Sequence, residues 1–250
     1  MKNYFKGIVM SISMFSRIPV PFLKWDNTCT HLIIPFFPLV GFIHGVLLYI
    51  FLETMIYFGM HIVFRSTFLA LFFYFITGFL HLDGFMDTSD AVLSNRSLED
   101  KKRILKDSNV GAFSVIAVIT LFIMMLSSSY IIISEQKNLS MLIAIPVISR
   151  CLTAYAFLTL SPMEESGYAK LFLKKEALKS KIIVTILFML AVMASFFVFH
   201  GSYIVIGFMI LVFYITIERL HSQFAGISGD LCGYALTVTE CSAFLMLAII

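Results

Sequence analysis

The stretch HLDGFMDTSDAVLSNRSLEDKKRILKDSNVG, residues 81–111, interrupts a strongly apolar chain with six of its 15 acidic residues. It directly follows the apolar run LALFFYFITGFL, residues 69–80. Asp83, Asp87 and Asp90 stand at positions i, i+4 and i+7, so a helix that begins inside the apolar run would carry all three carboxylates within an arc of roughly 60°. Ionisable side chains inside an apolar segment are costly and usually functional. The segment is therefore the first candidate for a functional site.

The composition around this stretch decides the class of protein. Hydrophobic residues make up 60% of the chain and charged residues 13%, with a mean hydropathy of +0.95, which excludes an ordinary soluble domain. The net charge of +3 is too small to indicate a nucleic-acid partner. The four cysteines show no CxxC or His–Cys spacing, so neither a disulfide framework nor a zinc site is expected. We predict an all-α integral membrane protein with a single domain over residues 1–250.

Seven apolar segments are long enough, or nearly so, to cross about 30 Å of hydrocarbon at about 1.5 Å per residue. They are approximately Leu32–Phe58, Ile62–Leu82, Val110–Ile133, Met141–Leu160, Ile182–Phe199, Tyr203–Ile217 and Tyr234–Ile250. The sixth segment is short, and counts of six and eight stay open. The pattern predicts a polytopic transmembrane helical bundle.

The basic residues predict how this bundle is oriented, because short loops rich in Lys and Arg stay in the cytoplasm. Seven spans with a cytoplasmic N-terminus place 15 of the 18 Lys and Arg residues on one side. The residues left over are Arg65, Lys137 and Arg150. The loop that contains the aspartates is therefore predicted to face the cytoplasm.

Two amphipathic segments predict helices that lie on the membrane surface. In Met1–Arg17, apolar side chains recur at helical spacing after Lys2 and Lys6. A signal peptide is the alternative, but Arg17 closes the apolar run and no small-residue cleavage site follows. Gly167–Lys181 carries an apolar face surrounded by lysines, which favours contact with anionic lipid over the binding of a substrate phosphate.

The three aspartates favour a metal site over a solvated helix end. A cytoplasmic helix end in this chain would be expected to carry Lys or Arg, and three carboxylates on one face repel each other unless a cation joins them. Carboxylate sites without His or Cys favour Mg²⁺ or Mn²⁺. Glu99 and Asp100 have lysines beside them and are predicted to be structural.

A second polar region lies near the end of the sequence and contains Asp230 and Glu240. The predicted topology puts Asp230 on the same side as the first acidic region, so the two could meet. Glu240 lies about two turns into an apolar helix, where a carboxylate needs a partner. Arg150, inside the fourth span, either pairs with such a carboxylate or clamps a phosphate. His81 precedes Asp83 by two residues and either supports the site or lies at the membrane interface.

Four stretches carry a resemblance to a known family. They are FSRIPVP (15–21), HLDGFMDTSDAVLSNR (81–96), KDSNVGAF (106–113) and ISGDLCGYALTVTE (227–240). In order and spacing they resemble the cobalamin (5′-phosphate) synthase family, also called adenosylcobinamide-GDP ribazoletransferase. The resemblance covers the chain from the N-terminus to the last span, and its HLDGxxDTxD element is highly specific.

The resemblance implies a Mg²⁺-dependent enzyme of the bacterial inner membrane that performs a late step of adenosylcobalamin (vitamin B12) synthesis. A ribose hydroxyl of α-ribazole, or of its 5′-phosphate, attacks the cobinamide-side phosphorus of adenosylcobinamide-GDP, and GMP leaves. Such phosphoryl transfer depends on positioning and on neutralising phosphate charge. The sequence leaves open the number of metal ions, the preferred form of α-ribazole and whether a homo-oligomer forms.

The resemblance also implies site residues at matching positions. Asp83, Asp87 and Asp90 match the metal carboxylates, and one of them is a candidate general base. The predicted metal ligands are Asp83, Asp87, Asp90 and Asp107, and the predicted substrate-binding residues are His81, Ser108, Arg150, Gly229, Asp230 and Glu240. The chain departs from the family with Asn109 where Arg is common, SGD where TGD is common, and Thr237 where Glu is common, so no role is assigned to those positions.

Two other functions also place carboxylates on membrane helices. A transporter would use the aspartates as a cation or proton pathway, but the carboxylates cluster at one end of the bundle and no inverted repeat is visible. A CDP-alcohol phosphotransferase also uses aspartates on membrane helices, but its Asp-x-x-Asp-Gly-x-x-Ala-Arg pattern does not follow Asp83.

Overall fold

A computed structural model describes residues 2–21, 24–163, 177–198 and 203–250. These residues form ten α-helices and one short 3₁₀ turn, and their only bridge of β type joins Pro162 to Ile227. The helices are α1 Lys2–Phe15, α2 Phe37–Tyr57, α3 Ile62–Ile76, α4 Leu80–Leu93, α5 Leu98–Ile104, α6 Ala112–Ser134, α7 Met141–Thr159, α8 Ala177–Val198, α9 Tyr203–Phe224 and α10 Gly229–Ile249. The all-α prediction is confirmed.

Six of these helices, α2 and α6 to α10, are long and apolar enough to cross a membrane, and the pair α3 and α4 makes a seventh candidate. The prediction of a polytopic bundle with about seven spans is therefore confirmed. Helices α7 and α10 form its centre, since 78% and 72% of the residues in their apolar 18-residue stretches are buried, compared with 17% for α8. Helix α4 packs against α10 of this centre and against α6.

The predicted second span, Ile62–Leu82, is a bent pair of helices in the structure. Helix α3 ends at Ile76, and α4 starts at Leu80 at an angle of 89° to it. Gly78 and Phe79 both adopt positive φ, 63° and 65°, which ends α3 because right-handed helical geometry cannot continue through them. The Phe79 N–H closes this turn by donating to the Tyr74 carbonyl at 2.8 Å. Hydropathy does not show the bend because the turn residues are themselves apolar.

Two further span boundaries differ from the prediction, namely the end of α9 and the start of α10. Helix α9 continues to Phe224 instead of ending at Ile217, so its last turns carry exposed polar residues. Helix α10 begins at Gly229 instead of Tyr234, because the Ser228 side chain caps it by accepting the Leu231 N–H. Asp230 consequently lies in the first turn of a central helix.

Helix α1 confirms the predicted N-terminal helix, and the structure adds the contacts that hold it. Lys6 Nζ lies 2.8 Å from Asp26 Oδ2, and the Arg17 N–H donates to the Ile76 carbonyl at 2.8 Å. Ser16 Oγ lies 2.9 Å from His44 Nε2 in α2. The end of α1 is thus tied to the bend between α3 and α4. Residues 164–176 lie outside the described residues, so of the surface helix predicted at Gly167–Lys181 only the part within α8 is seen.

Candidate active site

The aspartate segment is helical, as its spacing predicts, and it lies directly against the start of α10. A Cβ atom on Gly84 would stand 2.9 Å from both Cα and the carbonyl oxygen of Asp230, so the two backbones touch at this point. One turn further along α10, the Phe85 and Tyr234 rings stack with centroids 5.2 Å apart. This packing brings Asp230 beside the aspartates of α4.

Asp87 lies at the centre of the resulting carboxylate cluster. Asp83, Asp230 and Asp90 all lie within electrostatic reach of it. Asp83 and Asp230 are exposed, whereas Asp87 and Asp90 are half-buried. Within the described part of the chain, no Lys, Arg or His forms an ion pair with Asp83, Asp87 or Asp230. The cluster therefore presents uncompensated negative charge, which attracts a cation.

Asp90 has a hydrogen-bonding role besides the metal role predicted from its spacing. Its two carboxylate oxygens accept the main-chain N–H groups of Gly111 at 2.8 Å and Ser114 at 3.0 Å. These are free donors at the start of α6, so the side chain caps that helix. A Cβ atom on Gly111 would collide with the Asp90 carboxylate. The contact explains why a Gly stands at this point of the stretch KDSNVGAF.

Asp107 and Ser108 lie in the exposed loop between α5 and α6. Asp107 Oδ1 accepts both the main-chain N–H of Asn109 at 3.0 Å and its side-chain N–H at 2.7 Å. These hydrogen bonds hold the pKa of Asp107 below its usual value. Neither Asp107 nor Ser108 hydrogen-bonds to the carboxylates of α4 or α10, and their predicted roles stay predictions.

The carboxylates fit a magnesium ion by donor type, although they do not form a closed cage. Across the described residues, no three His, Cys, Asp or Glu side chains stand together at metal-binding distances. Mg²⁺ usually keeps several waters and is bound through one or two carboxylates together with substrate phosphates. An open set of carboxylate oxygens on Asp83, Asp87 and Asp230 suits that mode.

Arg150 and Glu240 meet in the interior, between α7 and α10. Arg150 Nη1 lies 2.8 Å from Glu240 Oε1, and Ser149 Oγ donates to the same oxygen at 2.7 Å. The guanidinium is fully buried, and the Phe37 ring centroid lies 5.4 Å from its central carbon. The arrangement corresponds to the pairing alternative considered for Arg150. Its Nε and Nη2 atoms have no hydrogen-bond partner among the described residues, and the substrate-binding roles of Arg150 and Glu240 stay predictions.

Two cavities flank the first turn of α4. A polar cavity of about 400 Å³ contains Asp83 and is otherwise lined mainly by residues at the end of α1, just after it and at the bend, among them Ser13, Ser16, Arg17 and Thr77. An aromatic cavity of about 420 Å³ contains Asp230 and Gly229 together with His81, Phe15, Phe37 and Phe157. The sequence reasoning assigned no role to Arg17. Arg17 belongs to the stretch FSRIPVP, but nothing local in that stretch indicates that it lines the same cavity as Asp83.

His81 lies in the wall of the aromatic cavity. Its ring centroid is 6.3 Å from that of Phe15, nearly parallel to it, and 5.7 Å from that of Phe37. Its Nε2 atom is buried and finds no hydrogen-bond partner in the part of the chain that the structure describes. The imidazole thus lies in the cavity wall, and its predicted substrate-binding role stays a prediction.

Comparison with known sequences assigns the chain to a family. A profile described as "Cobalamin-5-phosphate synthase" matches residues 7–248. The chain belongs to the cobalamin-5-phosphate synthase family. Proteins named adenosylcobinamide-GDP ribazoletransferase from Clostridium botulinum (strain Alaska E43 / Type E3) and Clostridium perfringens (strain SM101 / Type A) are 38% and 36% identical to it, over 96% and 100% of both chains. One from Alkaliphilus oremlandii is 30% identical, over 98% of this chain and 99% of its own. No solved structure matches.

Proposed function

We propose that the chain is an adenosylcobinamide-GDP ribazoletransferase. It joins adenosylcobinamide-GDP to α-ribazole, or to α-ribazole 5′-phosphate, and forms adenosylcobalamin or its 5′-phosphate with release of GMP. The observation that carries this proposal is the family match over residues 7–248, with relatives of that name along the full length. The carboxylate cluster where α4 meets α10 supports it, because phosphoryl transfer needs a place where phosphate charge is neutralised.

The proposed reaction exchanges one phosphorus–oxygen bond for another. The ribose hydroxyl oxygen of α-ribazole bonds to the cobinamide-side phosphorus, and the bond from that phosphorus to the GMP oxygen breaks, so GMP leaves with the electron pair. The hydroxyl proton passes to a carboxylate at the site. Asp83 and Asp87 are the candidate bases because both belong to the open cluster and neither forms an ion pair with another described residue. Positioning of the two substrates supplies much of the remaining rate enhancement.

A bound Mg²⁺ would neutralise charge on the diphosphate and on the leaving GMP. We propose that one or two of the carboxylates of Asp83, Asp87 and Asp230 hold it together with the substrate phosphates. The metal roles of Asp90 and Asp107 stay predictions from the resemblance.

The proposed location is the bacterial inner membrane, with the site facing the cytoplasm. Its support is the distribution of Lys and Arg, which favours a cytoplasmic N-terminus. Water-soluble substrates would then reach the cluster without crossing the bilayer.

The test is GMP release by the purified protein in lipid nanodiscs. Adenosylcobinamide-GDP and α-ribazole are supplied with Mg²⁺, and the assay is repeated with excess EDTA and with α-ribazole 5′-phosphate. We expect metal-dependent GMP together with a cobalamin product. Folded protein that yields no GMP with either acceptor would overturn the proposal, and CDP-alcohol donors and ion flux would then be assayed. GMP release that is unaffected by EDTA would overturn the proposed role of Mg²⁺ and leave the proposed reaction in place.

A further inference from the structure

The polar and aromatic cavities are neighbours with contrasting linings. Both contain Met14 of α1 and Leu80 of α4, so these two side chains form the wall between them. Asp83 opens onto the polar cavity and Asp230 onto the aromatic one. The α4 and α10 backbones touch at Gly84 and Asp230, so the two aspartates stand at the place where these helices meet. A reaction between two ligands, one in each cavity, would take place there.

Arg17 gives the polar cavity an anion-binding group. Its side chain is exposed and lies across Gly78, where any Cβ atom would collide with Nε. Among the described residues no carboxylate pairs with it. The hydroxyl groups of Ser13, Ser16 and Thr77 line the same space. A guanidinium matches the geometry of phosphate oxygens and binds them through paired hydrogen bonds.

The aromatic cavity has the features of a nucleoside site. Its rings include Phe15, whose centroid is 4.3 Å from that of Phe37 and 6.3 Å from that of His81. Flat aromatic bases stack favourably on such rings. Ser228 and Asp230 supply polar groups at the α10 end of the same space. Its volume of about 420 Å³ lies within the range of about 300–1,000 Å³ found for small-molecule pockets.

We propose that the two cavities separate the two substrates. The polar cavity takes the diphosphate of the nucleotide-linked donor, with Arg17 on the phosphates, while the bulky corrinoid stays outside its mouth. The aromatic cavity takes the α-ribazole nucleoside, with its base on the rings and its ribose hydroxyl toward Asp230 and Asp83. This assignment rests on the proposed function. It makes the end of α1 part of the active site, where the sequence predicted only a surface helix.

The experiment measures the KM of each substrate separately in variants of each cavity. Arg17→Ala and Arg17→Lys alter the polar cavity. Phe15→Leu removes a flat ring, and Ala154→Leu fills the aromatic cavity, of which Ala154 is part of the wall. Arg96→Ala is the matched control, because Arg96 is an exposed arginine that lines neither cavity. Calorimetry of α-ribazole binding to each variant, without donor, adds a measurement that does not depend on turnover.

The expected result is a crossed pattern. Arg17→Ala raises the KM of adenosylcobinamide-GDP at least about tenfold, equivalent to about 1.4 kcal/mol, and leaves α-ribazole binding unchanged, while Arg17→Lys is intermediate. Phe15→Leu and Ala154→Leu weaken α-ribazole binding and leave the donor KM unchanged. If the wild type is active but both groups of variants affect the same substrate, the assignment of one substrate to each cavity is overturned. The same holds if Arg17→Ala leaves the donor KM unchanged. Either result leaves the proposed function in place. A folded but inactive wild type overturns the proposed function as well.

Discussion

At the scale of single residues, the site depends on charges that the protein leaves uncompensated. Asp83, Asp87 and Asp230 share one region and lack ion pairs within the described residues. Two other carboxylates are occupied within the protein, since Asp90 caps α6 and Glu240 pairs with Arg150. This contrast separates the carboxylates available for a cation from those that stabilise the fold.

Replacing Asp87 by Asn tests the centre of the cluster. The substitution keeps the shape of the side chain but removes its charge, so we expect GMP release to fall at least about a hundredfold while the protein remains folded in the membrane. Asp100→Asn is the control, since Asp100 pairs with Arg103 on α5 away from the cluster. A fully active Asp87→Asn protein would contradict both the metal and the base assignment.

The buried pair of Arg150 and Glu240 predicts a stability effect. Arg150→Met leaves a buried carboxylate without its cation, and breaking such a pair costs about 3–5 kcal/mol. The double variant Arg150→Met/Glu240→Gln removes both charges and should recover most of this loss. Unfolding of the purified protein in mixed micelles measures the free energies. If the double variant were no more stable than Arg150→Met alone, the pair would not be the cause of the loss.

At the scale of elements, the bend between α3 and α4 places the first turn of α4 beside α1. Gly78 contributes twice, since it has φ +63° and its missing Cβ makes room for Arg17. Gly84 contributes in another way, because it lets α4 touch α10. Two other glycines serve as controls. Gly59 shares the positive φ of Gly78, and Gly207 is a helical glycine like Gly84, but neither has an atom within 4 Å of its Cβ position.

The variant Gly78→Ala should damage both the fold and the donor site. Alanine at positive φ costs about 1–2 kcal/mol, and its Cβ would push the Arg17 side chain out of the polar cavity. Gly59→Ala is the matched control, because Gly59 has φ +64° with no atom near its Cβ position. We expect similar stability losses from both variants but a raised donor KM only from Gly78→Ala. Equal donor KM values would mean that Arg17 is not held by the bend.

The variant Gly84→Ala should separate α4 from α10. Its Cβ would meet main-chain atoms of Asp230, which cannot move aside as a flexible side chain would, so we expect a loss of about 1–3 kcal/mol together with slower GMP release. Gly207→Ala in α9 has open space and should be neutral or slightly stabilising. Thermal unfolding and the GMP assay compare them. Unchanged turnover in Gly84→Ala would show that this contact does not position the carboxylates.

At the scale of the whole molecule, orientation in the membrane decides which compartment supplies the substrates. All four native cysteines are buried, so cysteines introduced on the surface can be labelled selectively. Glu99→Cys in α5 and Met60→Cys between α2 and α3 lie in exposed loops or helix ends. A membrane-impermeant maleimide added to intact cells should label Met60→Cys and should label Glu99→Cys only after lysis. The opposite pattern would place the site outside the cytoplasm.

The sequence by itself determined the membrane class, the approximate spans, the helix that carries the aspartates and the family. Hydropathy and helical spacing depend only on residues that are close together in the sequence. A continuous apolar run therefore indicates a span, and an i, i+4, i+7 spacing indicates one face of a helix. Both polar regions of the site were also visible, because charged residues stand out in an apolar chain.

Only the tertiary structure decided which of these residues meet and what else each of them does. Asp90 caps a helix whose donors lie 21 and 24 residues away, and Arg150 pairs with a carboxylate 90 residues away. The placement of Arg17 beside Asp83 depends on a bend formed by Gly78 and Phe79 inside an apolar run. Such contacts result from the packing of helices against one another, for which the periodicity of a single segment carries no information.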